Sequence, residues 1–113
     1  MEINQGIYQI INIVNKQKYI GSSSNIEVRK KIHFKKLQNN CHDNKYLQNS
    51  YNKYGENKFI FEILELNNNL TRSELYELEQ YYIDLHDFES LYNISKDVKG
   101  GGYEALCIPI LLL

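Results

Sequence analysis

At 113 residues, with 42% of them hydrophobic and 24% charged, the chain suits one domain with a single modest core and is too short for two. No apolar run approaches the length of a membrane-spanning helix and no basic-then-apolar leader opens the sequence, so an intracellular, cytoplasmic soluble protein with no membrane partner is expected. The net charge of −1 argues against a dedicated nucleic-acid binder, yet it hides an asymmetry. Residues 1–58 hold ten Lys/Arg against four acids, whereas residues 59–113 hold three against ten. A phosphate backbone would meet the first half, with salt-sensitive affinity.

Two strand-like runs come first, built around Gly6-Ile7-Tyr8 and Tyr19-Ile20-Gly21 and rich in Ile, Val and Tyr. A two-residue turn at Asn15-Lys16 would pair Val14 with Gln17, Asn12 with Tyr19 and Ile10 with Gly21. Tyr8, Ile10, Asn12, Tyr19 and Gly21 then share one sheet face, because side chains alternate with period two. Gly21 leaves a gap there, as glycine in a strand does where something approaches closely.

A helix follows, with Ser24-Asn25-Ile26-Glu27 read as a capping box and Ser24 as its N-cap. Arg29, His33 and Lys36 form a stripe flanked by Ile26, Ile32 and Leu37, while Lys31 and Lys35 point away. A solvated helix edge would explain the stripe alone. Beside two tyrosines and a glycine gap, a site explains it better.

Cys41 and Cys107 lack CxxC spacing, so no disulfide framework is expected, and Cys41-His42 is a poor zinc site without further ligands nearby. Residues 43–54 predict a second helix, capped by Asp43 or Asn44, with Leu47, Tyr51 and Tyr54 on one face and Gly55 as its stop. Lys58 to Leu66 predicts a third strand, apolar on both faces and covered on both. Thr71-Arg72-Ser73-Glu74 is a capping box, with Leu70 and Leu75 as a hydrophobic staple. Leu75, Leu78, Tyr82 and Leu85 mark the buried stripe of that helix, and Glu79 falls on the same side. A buried carboxylate needs a cation or good hydrogen bonds. Either an ion pair with Arg29 or a divalent metal would supply them.

The fold class expected is α/β of the α+β type. It is a small, largely antiparallel three-stranded sheet flanked by helices, in the order β-β-α-α-β-α.

The tripeptides Gly6-Ile7-Tyr8 and Tyr19-Ile20-Gly21, followed by Arg29, His33, Glu79 and Asn93, resemble the catalytic core of the GIY-YIG endonuclease family. The likeness is greatest to the nuclease domains of phage intron-encoded homing endonucleases. It covers residues 6–95, which makes 1–95 a nuclease domain and 96–113 a Gly-rich linker and apolar tail. In the family such a linker leads to separate DNA-binding modules. The resemblance implies metal-dependent hydrolysis of DNA phosphodiesters, with Mg2+ or Mn2+ held by Glu79. Tyr8 would act as general base and Tyr19 would orient water or phosphate. Arg29 would stabilise the transition state, and His33 would assist proton transfer or hold Tyr8. Asn93 would support the metal ligand or its waters and lie with Lys30, Lys36 and Lys45 against DNA. Residues near His42 lie close to the cleft in the homing relatives, which makes His42 a secondary candidate. Targeting would come from a separate protein or DNA-binding domain. A partner-targeted structure-specific or repair nuclease, and a catalytically idle nucleic-acid-binding relative, are the alternative functions. The former commonly carries Tyr where this chain has His33, which favours the homing type.

Overall fold

The structure, a computed structural model, describes residues 4–93. The tail and linker expected at 96–113 therefore lie outside the described residues. Strands β1 (Gly6–Asn12), β2 (Lys18–Ser23) and β3 (Phe59–Leu66) form one antiparallel sheet in the order β2-β1-β3. Helices α1 (Ile26–Gln38), α2 (Lys45–Tyr54) and α3 (Arg72–Asp84) complete the β-β-α-α-β-α order. Among the described residues, no helix is long and apolar enough to cross a membrane.

β1 is the central strand, buried along nearly its whole length. On one face of the sheet, Ile10 and Phe59 pack with Leu37, Leu47, Tyr51 and Tyr92, so α1 and α2 cover that side. On the other, Ile7 and Ile20 pack with Leu75 and Ile83 of α3 and with Leu91. Burying these apolar side chains supplies the main driving force, at about 1.5–3 kcal/mol for each large one.

The hairpin register differs from the expected one by two residues: Tyr8, not Ile10, lies opposite Gly21, and Ile10 lies opposite Tyr19. The connection is longer than a two-residue turn because two Asn side chains shape it. Val14 N–H donates to Asn12 Oδ1 and Gln17 N–H to Asn15 Oδ1, at 2.9 Å each, while Lys16 takes a left-handed φ of 68°. A slip of two preserves the pleat's parity, so the expected face-sharing set is intact.

Three other expectations change. The N-cap of α1 is Asn25, whose side chain accepts from Val28 N–H, and Ser24 is exposed. β3 is an edge strand with Ile60, Ile63 and Leu66 exposed, so neither of its faces is fully covered. On α3 the buried positions are Leu75 and Ile83, with Leu78 and Tyr82 packed against them and Leu85 exposed beyond the last turn. The capping box at Thr71 and Glu74 forms in full. Asn44 caps α2, as one of the two candidates foreseen. Of the two cysteines, Cys107 lies outside the described residues, and so does the expectation for the pair.

Residues 91–93 return along the outer edge of β2. Leu91 bridges Lys18 in parallel, Tyr92 N–H donates to Lys18 O, and Asn93 clamps Ile20.

Candidate active site

The face shared by Tyr8, Tyr19 and Gly21 meets the stripe of α1 that carries His33. Tyr8 and His33 are each 1% exposed, and Tyr8 Oη lies 2.6 Å from His33 Nε2. Across the ring, His33 Nδ1 lies 2.7 Å from Nε2 of His42, itself buried in the loop between α1 and α2. Tyr19 sets its ring edge-on to both histidines, with centroids 5.4 and 6.0 Å away. Two phenols and two imidazoles thus form one aromatic cluster against the hairpin.

Gly21 is what lets Tyr8 lie there. A Cβ built on Gly21 would stand 2.5 Å from Tyr8 Oη and 2.7 Å from Cζ, so the space opposite Tyr8 is filled by its own phenol. Phe61 supports that ring from the β3 side, stacked at 4.9 Å. Gly6 serves a similar end at the start of β1, where a Cβ would fall 1.9 Å from Glu65 O.

Burial, the neighbouring His42 and the charges of Arg29 and Lys36 hold His33 well below the ordinary histidine range. His42 is brought down to about 4, mainly by burial and partly by Lys36, against the opposing charge of Asp43. Both rings are neutral at pH 7.

Glu79 comes from the opposite face of the sheet. It is half-buried on α3 and accepts a short hydrogen bond from the hydroxyl of Ser22, the residue after Gly21. Burial raises its pKa, opposed by the Ser22 hydrogen bond and by the charge of Arg29. Arg29 acts electrostatically on both His33 and Glu79. The two faces therefore converge at Gly21-Ser22, with half-buried Arg29 between them. Ser22 carried no sequence signal; its part follows only from α3 crossing that face.

The remaining candidates divide. Lys30 and Lys45 are exposed, and Lys30 Nζ lies 5.5 Å over the Phe61 ring. Lys36 is buried and bridges Asp43 at 3.2 Å, which makes it a support for the histidine loop more than a surface cation. Asn93 uses its amide on β2: Oδ1 accepts from Ile20 N–H at 3.0 Å and Nδ2 donates to Ile20 O at 2.9 Å. It holds the strand between Tyr19 and Gly21.

Residues 4–93 match the family model of the GIY-YIG catalytic domain. The chain belongs to the GIY-YIG endonuclease family. Intron-associated endonuclease 1 of Enterobacteria phage T4 is 48% identical over 63 residues, covering 56% of this chain and 25% of that protein. A probable intron-encoded endonuclease 1 of Neurospora crassa is 37% identical over 92 residues, covering 78% of this chain and 29% of that one. The chain thus spans about a quarter of the length of these relatives. Among solved structures, the catalytic domain of the homing endonuclease I-TevI superposes with a TM-score of 0.73 at 38% identity, over 80% of this chain and 98% of that one. An alanine variant of the same domain, altered at one glutamate, gives 0.76 at 36% identity over 87% and 100%. The three-stranded antiparallel sheet with three helices is this GIY-YIG nuclease fold.

Proposed function

We propose that this domain is a DNA endonuclease of the homing type, cutting phosphodiester bonds with a divalent cation bound at Glu79. The observation that carries the reading is the buried Tyr8–His33–His42 chain ending one residue from the Glu79 anchor at Ser22. A packing role alone would not place four titratable rings and a half-buried carboxylate around one glycine.

The donor set suits a hard cation that keeps most of its waters. No group of three or more metal-binding side chains exists among the described residues, and one carboxylate with retained water is the usual provision for Mg2+. Mn2+ accepts the same oxygen ligands. When bound, the cation supplies neutralisation of the phosphoryl charge.

The chain's own groups do the rest. A free phenol titrates near ~10, so Tyr8 serves as general base only where positive charge and hydrogen bonds favour its anion. Arg29 supplies fixed positive charge at the junction and stabilises charge on the phosphoryl oxygens in the transition state. Tyr19, half-buried beside both histidines, orients the attacking water or the phosphate. Lys30 and Lys45 offer exposed cations to the backbone, whereas base readout needs an element reaching into a groove, which another domain or a partner protein would provide. Such a protein works inside the cell, where its DNA is.

The test is nicking of supercoiled plasmid by the parent and by Tyr8→Phe, each with Mg2+ and with EDTA. Cleavage by the parent in Mg2+ alone, reduced about 10²–10⁴-fold in Tyr8→Phe, is expected. A parent that binds DNA but never nicks it in Mg2+ or Mn2+ would make this an idle nucleic-acid-binding relative.

A further inference from the structure

We propose that His42 is a positioning residue whose hydrogen bond from the Asn44 backbone amide sets the polarity of the whole chain, so that His33 donates to Tyr8 Oη. The proposal deepens the nuclease reading and rests on it for its consequence, but its geometry stands apart.

The reasoning starts from the one group in the chain whose direction is fixed. A backbone N–H can only donate, and that of Asn44 lies 3.0 Å from His42 Nδ1. His42 Nδ1 is therefore an acceptor, and a neutral ring then carries its hydrogen on Nε2. That Nε2–H faces His33 Nδ1 at 2.7 Å, and the ring centroids stand 5.0 Å apart, the separation of two imidazoles joined end to end through their nitrogens. His33 Nδ1 is an acceptor in turn, and its hydrogen sits on Nε2, 2.6 Å from Tyr8 Oη. The depressed basicity of both rings keeps them neutral, so each has one donor and one acceptor to place.

The opposite polarity meets an obstacle at every step. If Tyr8 donated to His33, the His33 hydrogen would move to Nδ1 and oppose the Nε2–H of His42. Moving that one as well would set His42 Nδ1–H against the Asn44 amide. Neither end of His42 is loose. Its own N–H donates to Gln48 Oε1 at 2.9 Å, and Asn44 is anchored by Tyr92 O at 2.8 Å and by Leu47 N–H at 3.0 Å.

For the reaction, His33 is then no acceptor for the Tyr8 proton in the resting protein. It is a fixed N–H donor to the phenol oxygen, and a donated hydrogen bond favours the phenolate. The Tyr8 proton passes to solvent, and the phenolate then takes one from the attacking water; throughout, His33 keeps its own proton and stabilises the oxyanion, while His42 holds the tautomer. No proton leaves the histidine pair.

Long-range 1H–15N correlation spectra of the parent protein at neutral pH read the tautomers directly. The Nε2–H form of both His33 and His42 is expected, and the Nδ1–H form of either would overturn the proposal. Two variants carry the functional arm. His42→Gln keeps a donor towards His33, and His42→Leu has none. Gln should preserve the Nε2–H form of His33 and kcat within a few-fold. Leu should give mixed His33 tautomers and a kcat lowered about tenfold or more, with KM little changed. Urea melts of both variants separate this from a loss of fold. Equal kcat and equal His33 spectra in the two variants would overturn it as well. A parent with both Nε2–H tautomers and no nicking would sink the nuclease reading alone and leave this polarity in place.

Discussion

Gly21→Ala adds a single methyl group, and the structure says where it must go. Its Cβ would stand 2.5 Å from Tyr8 Oη and 2.7 Å from Cζ, about an ångström inside ordinary contact. A flexible exposed side chain would simply step aside. Tyr8 cannot, because it is 1% exposed, stacked on Phe61 at 4.9 Å and hydrogen-bonded to His33 at 2.6 Å. Overpacking of a tight interior costs about 1–3 kcal/mol. Removing a strand glycine returns roughly 0.5–1 kcal/mol of backbone entropy. The net expected loss of stability is therefore small, about 1–2 kcal/mol. The effect on cleavage is larger, since displacing a reacting group by about 1 Å costs roughly 10²-fold. Urea melts and plasmid nicking of parent and variant, run side by side, measure both quantities. A variant with parental stability and parental cleavage would refute the claim that Gly21 exists to seat the Tyr8 phenol. A variant that loses 4 kcal/mol or more would point to a wider packing failure than this contact explains.

Glu79→Gln should abolish divalent-ion binding and cleavage while leaving stability unchanged or slightly higher, because the raised pKa of Glu79 means that its buried charge costs stability at neutral pH. Calorimetric titration with Mn2+ beside a urea melt checks this, and lost stability with ion binding intact would make Glu79 structural. Stability should be at its full value above pH 6.5 and fall as the pH drops towards 4, because the unfolded chain takes up the His42 proton first. His42 alone contributes about 3 kcal/mol over that window, His33 acts in the same direction, and a pH series of urea melts in His42→Gln should show a shallower fall. Lys45→Ala should weaken DNA binding and flatten its salt dependence with little loss of stability, whereas Lys36→Ala should cost about 1 kcal/mol by removing a buried side chain and its bridge to the exposed Asp43. Binding by residues 4–93 should show little sequence preference at physiological salt, and a nanomolar, selective complex in a mobility-shift series would contradict that.

The hairpin shows what a sequence can and cannot convey. Period-two alternation put Tyr8, Tyr19 and Gly21 on one face, and that survives because the register error was an even number of residues. The turn is longer than the Asn15-Lys16 pair announces because Asn12 and Asn15 both fold their side chains back onto the loop. The third strand was misjudged for a similar reason. Its apolar residues on both faces suggested cover on both, but position in the sheet decides exposure, and β3 is at the edge. His42 gives little signal of its own beside Cys41, since only the fold of its loop brings it to His33. Lys36 lined up correctly with Arg29 and His33 but turned out to be buried, since the loop carrying Asp43 folds over it.

The four residues Tyr19 to Ser22 explain why the two tripeptides belong together. Tyr19 faces the histidines, and Gly21, two residues on and on the same side, opens to admit Tyr8. Ile20 and Ser22 point the other way, the first into the core under α3 and the second to Glu79. The backbone of Ile20 is held from outside by Asn93, so the strand cannot slide without breaking two hydrogen bonds. A six-residue strand thus addresses the Tyr8 phenol and the Glu79 carboxylate from opposite faces, and the fixed pleat keeps them in step. A one-residue insertion between Gly21 and Ser22 would set Ser22 on the same face as Gly21, away from Glu79. Substitutions elsewhere on α3 leave that register alone. The motif's identity therefore lies in its alternation as much as in its individual residues, and the site is only as well placed as β2 is registered.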